Sequence, residues 1–264
     1  MNEKYHTKLQ EELVAYPYKR DYAFCVDNIN IDIPMIYGDA SSIMYFMPIK
    51  ISKALEFIHD KRIKPVSIFP GITLVAINIF EYRKSVVGPF NEFTFSIPVI
   101  INRKINIPIL PLLFDQQFKK LGFYVIQLGA SNDLGRRHIE NIWGYPTYNK
   151  NIDIDIKNNE KCIVSTIKEN NESILEISED LPQSNKFKFE KKRFNTYFMH
   201  NGKLCNVKLE TFLFGKTWVK SKNFNIQIGD HILGRMLKKL EVKNKFATTF
   251  YPNAIEIASK VSIL

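Results

Sequence analysis

Two long apolar segments joined by a glycine–proline turn constrain this chain more than any other feature. "ITLVAINIFEYRK" begins at Ile72, "VGPF" turns, and "FNEFTFSIPVII" begins at Phe90. In the second segment Asn91, Phe93, Phe95 and Ile97 alternate with Phe90, Glu92, Thr94 and Ser96. A period of two belongs to a strand. It places Phe93, Phe95 and Ile97 on one face and Glu92, with two small hydroxyl residues, on the other. The two segments read as an antiparallel pair.

The rest of the chain supports a β-rich reading. "LGFYVIQL", 121–128, is a further strand candidate, and 151–156, 161–168, 172–178, 186–198, 203–214 and 217–228 follow. Between two of them, "HNGK" centres on Asn-Gly, a strong hairpin signal. Helices are few. "ISKALEFIHD" sets Ile51, Ala54, Leu55 and Ile58 at helical spacing, and "KRIKPVSIFPG", broken by Pro65 and Pro70, reads as a loop. "SNDLGRRHIENIW" has Ser131, Asn132 or Asp133 as a cap and ends at "GYP", since a residue before proline avoids the α region. A late helix, "GDHILGRMLKKLEV", has Asp230 as its cap and a face of Leu233, Met236, Leu237 and Leu240. The first 30 residues read as a short helix and an irregular arm, an N-terminal region of 1–40 in all. With 264 residues, 45% of them hydrophobic, and no internal repeat or linker, the expectation is one β-dominated α+β domain over 1–264. Its architecture is an antiparallel barrel or folded sheet with a few short peripheral helices.

Several function classes find no support. No apolar run reaches the ~18 residues that cross a bilayer, and the charged "MNEKYHTKLQEEL" has no apolar signal core, so a cytoplasmic location is expected. Cys25, Cys162 and Cys205 are odd in number and far apart, which favours reduced, buried thiols. The net charge of +10 is spread along the chain. Its densest run, "KFKFEKKRF", alternates Lys and Phe like a strand with one wet face, and no nucleic-acid motif accompanies it. The five histidines form no i, i+3 or i+4 pair, and there is no GxGxxG, GxxxxGK[ST] or GxSxG. No metal, cofactor, nucleic acid or membrane partner is expected.

One segment carries more. "GRRHIENIWGYPTYNK", 135–150, resembles a signature of the acetoacetate decarboxylase-like family: Gly-Arg-Glu/Arg, a hydrophobic residue, then Trp-Gly-Tyr/Phe-Pro-Lys-Phe. Upstream, "GPFNEFTFSIPV" is similar to that family's Gly-Pro-Tyr-x-Glu strand with its Pro-Val, and "LGFYVIQL" to its Gly-Tyr-aromatic strand. Downstream, "IQIGDHILGRMLKKLEV" resembles a Leu-Gly-Asp-His helix start, and "ATTFYPNAIEI" a late Ala-Thr-x-Tyr-x-Pro strand. The likeness spans roughly 70–257. It implies a cone-shaped, usually oligomeric barrel with its core over that range, binding a small keto acid or ketone. The best-known member uses a lysine of depressed pKa to form an iminium that accepts electrons as CO2 leaves.

Here the position of that lysine is Thr147, followed by Tyr148, and a hydroxyl cannot form an iminium. Glu92 matches one family glutamate. The other would fall near Ile77 or Asn78, and the arginine some members use has no counterpart near Asp39–Ala40. The resemblance therefore implies a barrel that holds a small organic acid without imine chemistry, with Glu92 and Thr147 as its reactive groups. Such a pocket could do acid–base work of isomerase, hydratase or lyase type, or only bind. Lys150 is the candidate for a displaced nucleophile in an active lyase. The third reading is a non-catalytic module binding an anionic partner through its basic surface. Phe90, Gln127, Trp143, Tyr145 and Tyr148 are candidate substrate contacts. Arg136 or Arg137 could grip a carboxylate bidentately. His231 belongs either to the pocket rim or to helix-start packing.

Overall fold

The structure is a computed structural model that describes residues 22–102, 120–159, 161–182, 187–219, 221 and 223–264. In chain order the first strands are β1 (Tyr22–Val26), β2 (Ile29–Ile33), β3 (Met35–Lys50), β4 (Ile63–Pro65), β5 (Ile72–Lys84) and β6 (Phe90–Ile101). Then come β7 (Leu121–Ala130), β8 (Asp153–Asn158), β9 (Cys162–Glu169), β10 (Glu172–Asp180) and β11 (Lys188–His200). The last are β12 (Lys203–Trp218), β13 (Phe224–Ile228), β14 (Ala247–Ala258) and β15 (Ser262–Ile263). Among the described residues three helices, α1 (Ile51–Leu55), α2 (Asp133–Trp143) and α3 (Ile232–Lys239), lie between them.

Seven strands close a barrel in the order β11-β7-β6-β5-β3-β14-β12, with β12 pairing back onto β11. Neighbours are antiparallel except β7 and β11, which run parallel over Gly122–Tyr124 and Asn195–Tyr197. Closure leaves these strands without an open edge. A separate antiparallel sheet, β13-β10-β9-β8, covers one outer side of the barrel.

This layering explains why β6 is apolar on one face and hydroxyl-lined on the other. Phe93, Phe95 and Ile97 point outward into a core shared with Ile163, Ile167 and Ile177 of the covering sheet and Leu233 and Leu237 of α3. Full burial of such a side chain contributes about 1.5–3 kcal/mol. Glu92, Thr94 and Ser96 point into the barrel. Helix α2 packs on the barrel's second core, its His138, Ile139, Ile142 and Trp143 buried with Tyr37 and Phe90. Asn132 caps it by accepting the Gly135 N–H at 2.7 Å. Gly144 ends it in the left-handed region (φ 77°), donating to the Glu140 carbonyl. That is the usual helix-ending role of glycine.

The structure departs from the sequence reading in several places. Residues 22–33 form the β1–β2 hairpin rather than an irregular arm, and β3, from Met35, is a full barrel strand ahead of the expected core. The helix expected within the first residues lies outside the described residues. Helix α1 is five residues long, and its Leu55 is exposed rather than on the buried face. The loop around Pro65 contains β4, which pairs with the end of β6. No strand spans 217–228: β12 runs on to Trp218 and β13 starts at Phe224. The cap of α3 is His231, whose Nδ1 accepts the Leu233 N–H, while Asp230 takes an ion pair from Lys238. Of the cysteines only Cys205 is buried; Cys25 is exposed on the hairpin. Among the described residues no helix is long and apolar enough to cross a membrane.

Candidate active site in the barrel interior

The barrel encloses a cavity of about 60 Å³. A site needs roughly 10–15 Å³ by this measure to hold one water, so the space suits a molecule of a few non-hydrogen atoms. Among the described residues two carboxyl groups line it: Glu92 from β6 and Glu256 from β14. Strands β5 and β3 separate them in the sheet and send Tyr82 and Tyr37 inward between them. Those two rings stand 4.3 Å apart, centroid to centroid. No lysine or arginine among the described residues lines the cavity.

Taking a carboxylate out of water disfavours its charged form. Burial, and then the charge of Glu256, holds the Glu92 carboxyl well above the usual range. Burial pushes Glu256 up to about 7, against a lowering by the Tyr82 hydroxyl, which donates to Glu256 Oε1 at 3.4 Å. Glu256 therefore ionises first, and its charge helps Glu92 keep its proton. Near neutral pH Glu256 is partly ionised, and burial together with that charge favours the protonated form of Glu92. That division of roles is what paired acid–base catalysis requires.

The hydroxyls around the pair are directed. His138 is fully buried, and burial lowers its pKa to about 4, so the ring is neutral. Its Nδ1 lies 3.1 Å from the Leu134 carbonyl and must carry the proton to donate there. Nε2 is thus an acceptor, and Tyr37 donates its hydroxyl to it at 3.0 Å. Tyr145 donates to Thr196 Oγ1 at 2.5 Å, and Thr196 donates onward to the Val207 carbonyl. Burial, foremost, raises the pKa values of Tyr37, Tyr82 and Tyr145, so all three remain neutral O–H donors.

The structure places the residues singled out from sequence in three groups. Glu92, Trp143 and Tyr145 line the cavity, and the Trp143 indole N–H is fixed on the Ser259 carbonyl at 2.8 Å. Phe90 shares the Glu92 face but packs against Tyr37, Tyr82 and His138 instead of lining the cavity. The remainder lie elsewhere. Gln127 donates to the Pro146 carbonyl at 3.0 Å. Thr147 is half-buried in a bridge to Leu128 and does not line the cavity. Arg136 pairs with Asp133 and Glu140 along α2, and Arg137 with Asp27 of the hairpin.

Tyr148, Lys150 and His231 meet at a different carboxylate, Glu169 at the end of β9. Tyr148 and Lys150 donate to it at 2.6 Å each, and His231 Nε2 lies 2.7 Å away. His231 Nδ1 is already an acceptor at the start of α3, so Nε2 carries the proton to Glu169. Lys150, Tyr148 and His231 together hold Glu169 down to about 2 against burial. Lys150 is 61% exposed in its side chain. An exposed ammonium in an ion pair is the opposite of the desolvated amine that imine chemistry needs, so the displaced-nucleophile reading has no geometric support.

Sequence reasoning missed Glu256, Tyr37, Tyr82, Asn78 and Thr196 as cavity residues. Glu256 had a signal, being the one charge in "AIEIA". Asn78 lies in the cavity near the place where the resemblance puts a second family glutamate.

No protein-family model matches the chain, and no curated protein sequence does. Solved structures do. The chain is similar to a structure described under structural studies of acetoacetate decarboxylase, with TM-score 0.61, 12% identity, and 88% of this chain and 89% of the other covered. It is also similar to acetoacetate decarboxylase from Legionella pneumophila, with TM-score 0.59, 13% identity, and 97% and 95% covered. A third is the enduracididine biosynthesis enzyme MppR complexed with pyruvate, with TM-score 0.53, 8% identity, and 87% and 90% covered. The fold is that of the acetoacetate decarboxylase-like enzymes.

Proposed function

We propose that the barrel binds a small keto acid or related organic acid and moves protons at the carbon beside its carbonyl, without forming an imine. The observation that carries this reading is the Glu92–Glu256 pair, two buried carboxyls of unequal acidity facing one small cavity. In the forward step the protonated Glu92 donates to the carbonyl oxygen while the Glu256 carboxylate takes a proton from the adjacent carbon. The product is the enol, with Glu256 now protonated and Glu92 ionised. The reverse step, after exchange with solvent, restores both groups. Positioned acid–base groups of this kind contribute about 10²–10⁴-fold each. Two further features support the reading. The cavity is sized for a few atoms, and a protein of the same fold is described in complex with pyruvate.

The test is hydrogen–deuterium exchange at the pyruvate methyl group in heavy water, followed by proton NMR. The wild type is expected to speed the exchange, and Glu92→Gln to lower that rate at least about 100-fold. Exchange no faster than buffer, or unchanged in Glu92→Gln, would show that the pair does no such work.

A further inference from the structure

The cavity contains a second set of polar groups that the carboxyl pair does not use. Asn78 of β5 sits opposite Thr94 of β6 in register, and Ala76 sits opposite Ser96. Asn78, Thr94 and Ser96 therefore form one contiguous patch on the inner wall, and all three line the cavity. Asn78 Nδ2 donates to Thr94 Oγ1 at 2.9 Å. Its Oδ1 is buried with no hydrogen-bond partner, and so is Ser96 Oγ. Asn78 is 6% exposed and Ser96 1%.

Buried polar atoms are nearly always satisfied, and each exception calls for an explanation. Two exceptions on one patch of the barrel wall, both in residues lining one cavity, point to a partner that enters the cavity. An amide oxygen accepts only, so that partner must bring an O–H or N–H. A serine hydroxyl both donates and accepts, so it can take the same group's lone pair. A ligand hydroxyl satisfies both at once: it donates to Asn78 Oδ1 and accepts from Ser96 Oγ. A carbonyl oxygen in the same place would satisfy Ser96 and leave Asn78 Oδ1 facing another acceptor.

We infer that Asn78 and Ser96 form a hydroxyl subsite, and that the ligand of this barrel is a small organic acid bearing a hydroxyl group. This rests on the small-acid reading above and narrows it to hydroxy acids and hydroxy-keto acids. Asn78 is then a specificity-determining residue. Its neighbour Thr94 holds the amide so that Oδ1 faces the cavity.

The experiment compares two acids of the same skeleton, propionate and lactate (2-hydroxypropionate), by isothermal titration at fixed pH and ionic strength. Wild type, Asn78→Leu and Ser96→Ala are run in parallel, each checked for native circular dichroism. Ser96→Ala removes only a hydroxyl and keeps the test sound if the larger change at Asn78 unfolds the barrel. The expected result is lactate bound at least about tenfold more tightly than propionate by the wild type, because a site with unpaired buried groups rejects the ligand that lacks the hydroxyl. In either variant the preference is expected to fall below about threefold. Equal affinities in the wild type, or an undiminished preference in the variants, would overturn the hydroxyl subsite while leaving the small-acid reading intact. Binding of neither acid would remove the small-acid reading, and the subsite with it.

Discussion

Glu256→Gln is the change whose effect can be worked out most fully. In the unfolded chain a glutamate titrates near 4.5, whereas burial in the barrel raises Glu256 to about 7. Between those values the folded state keeps a proton that the unfolded state has released. Stability must therefore fall as pH rises through this window, and the loss is complete above the folded value. A gap of about 2.5 units, at 1.36 kcal/mol each, is a loss of about 3 kcal/mol. Glutamine carries no charge at any pH and keeps an oxygen for the Tyr82 hydroxyl, so the variant escapes this loss. It also removes the charge that helps raise Glu92, which flattens its profile further. Urea unfolding at pH 5 and pH 8 reads both proteins. The difference in unfolding free energy, variant minus wild type, is expected to grow by about 2.5 kcal/mol from pH 5 to pH 8, since part of the window lies below pH 5. Parallel profiles would refute the claim that this carboxyl is ionised only at a cost, and with it the division of acid and base roles in the cavity.

Two packing predictions accompany it. At Gly135 a Cβ would stand 2.8 Å from Phe90 Cδ2. Overpacking costs about 1–3 kcal/mol and outweighs the roughly 1 kcal/mol that alanine gains in a helix, so Gly135→Ala should lower the urea midpoint. Lys245 and Glu179 form an ion pair buried at 5% and 0% side-chain exposure, and Glu179 also accepts from Trp218 and Thr248. Lys245→Met strands that carboxylate and should cost about 3–5 kcal/mol. Adding Glu179→Gln, which keeps an acceptor for Trp218, should recover part of the loss in chemical denaturation.

Legibility of the fold in the sequence followed the regularity of each strand. In β6 the alternation runs unbroken from Phe90 to Ile97, so the strand and the face carrying Glu92 could be read directly, while the resemblance supplied the reading of that face as a pocket wall. In β3 the pairing shifts between Asp39 and Ala40. Tyr37 and Met44 both face inward across that shift, so no single period of two covers the segment and it passed for an arm. The same cause hid Glu256: the register of β14 shifts twice between Tyr251 and Glu256. Gln127 was misplaced because a bulge opposite Phe95 and Ser96 alters the phase of β7. Met47 and Ile49 add to the difficulty in β3, since Pro48 between them weakens a strand reading on propensity alone. The family-like segment led to the right region. Within it Trp143 and Tyr145 line the cavity, whereas beyond Pro146 the chain leaves the barrel wall, and Tyr148 and Lys150 join the Glu169 cluster.

The most direct test of the central claim is borohydride reduction of the protein incubated with pyruvate, read by intact mass, on the same sample that exchanges the methyl protons. The account predicts exchange with no gain in mass. A stoichiometric gain mapped to one lysine would contradict it, since the chemistry would then run through an imine and not through the Glu92–Glu256 pair.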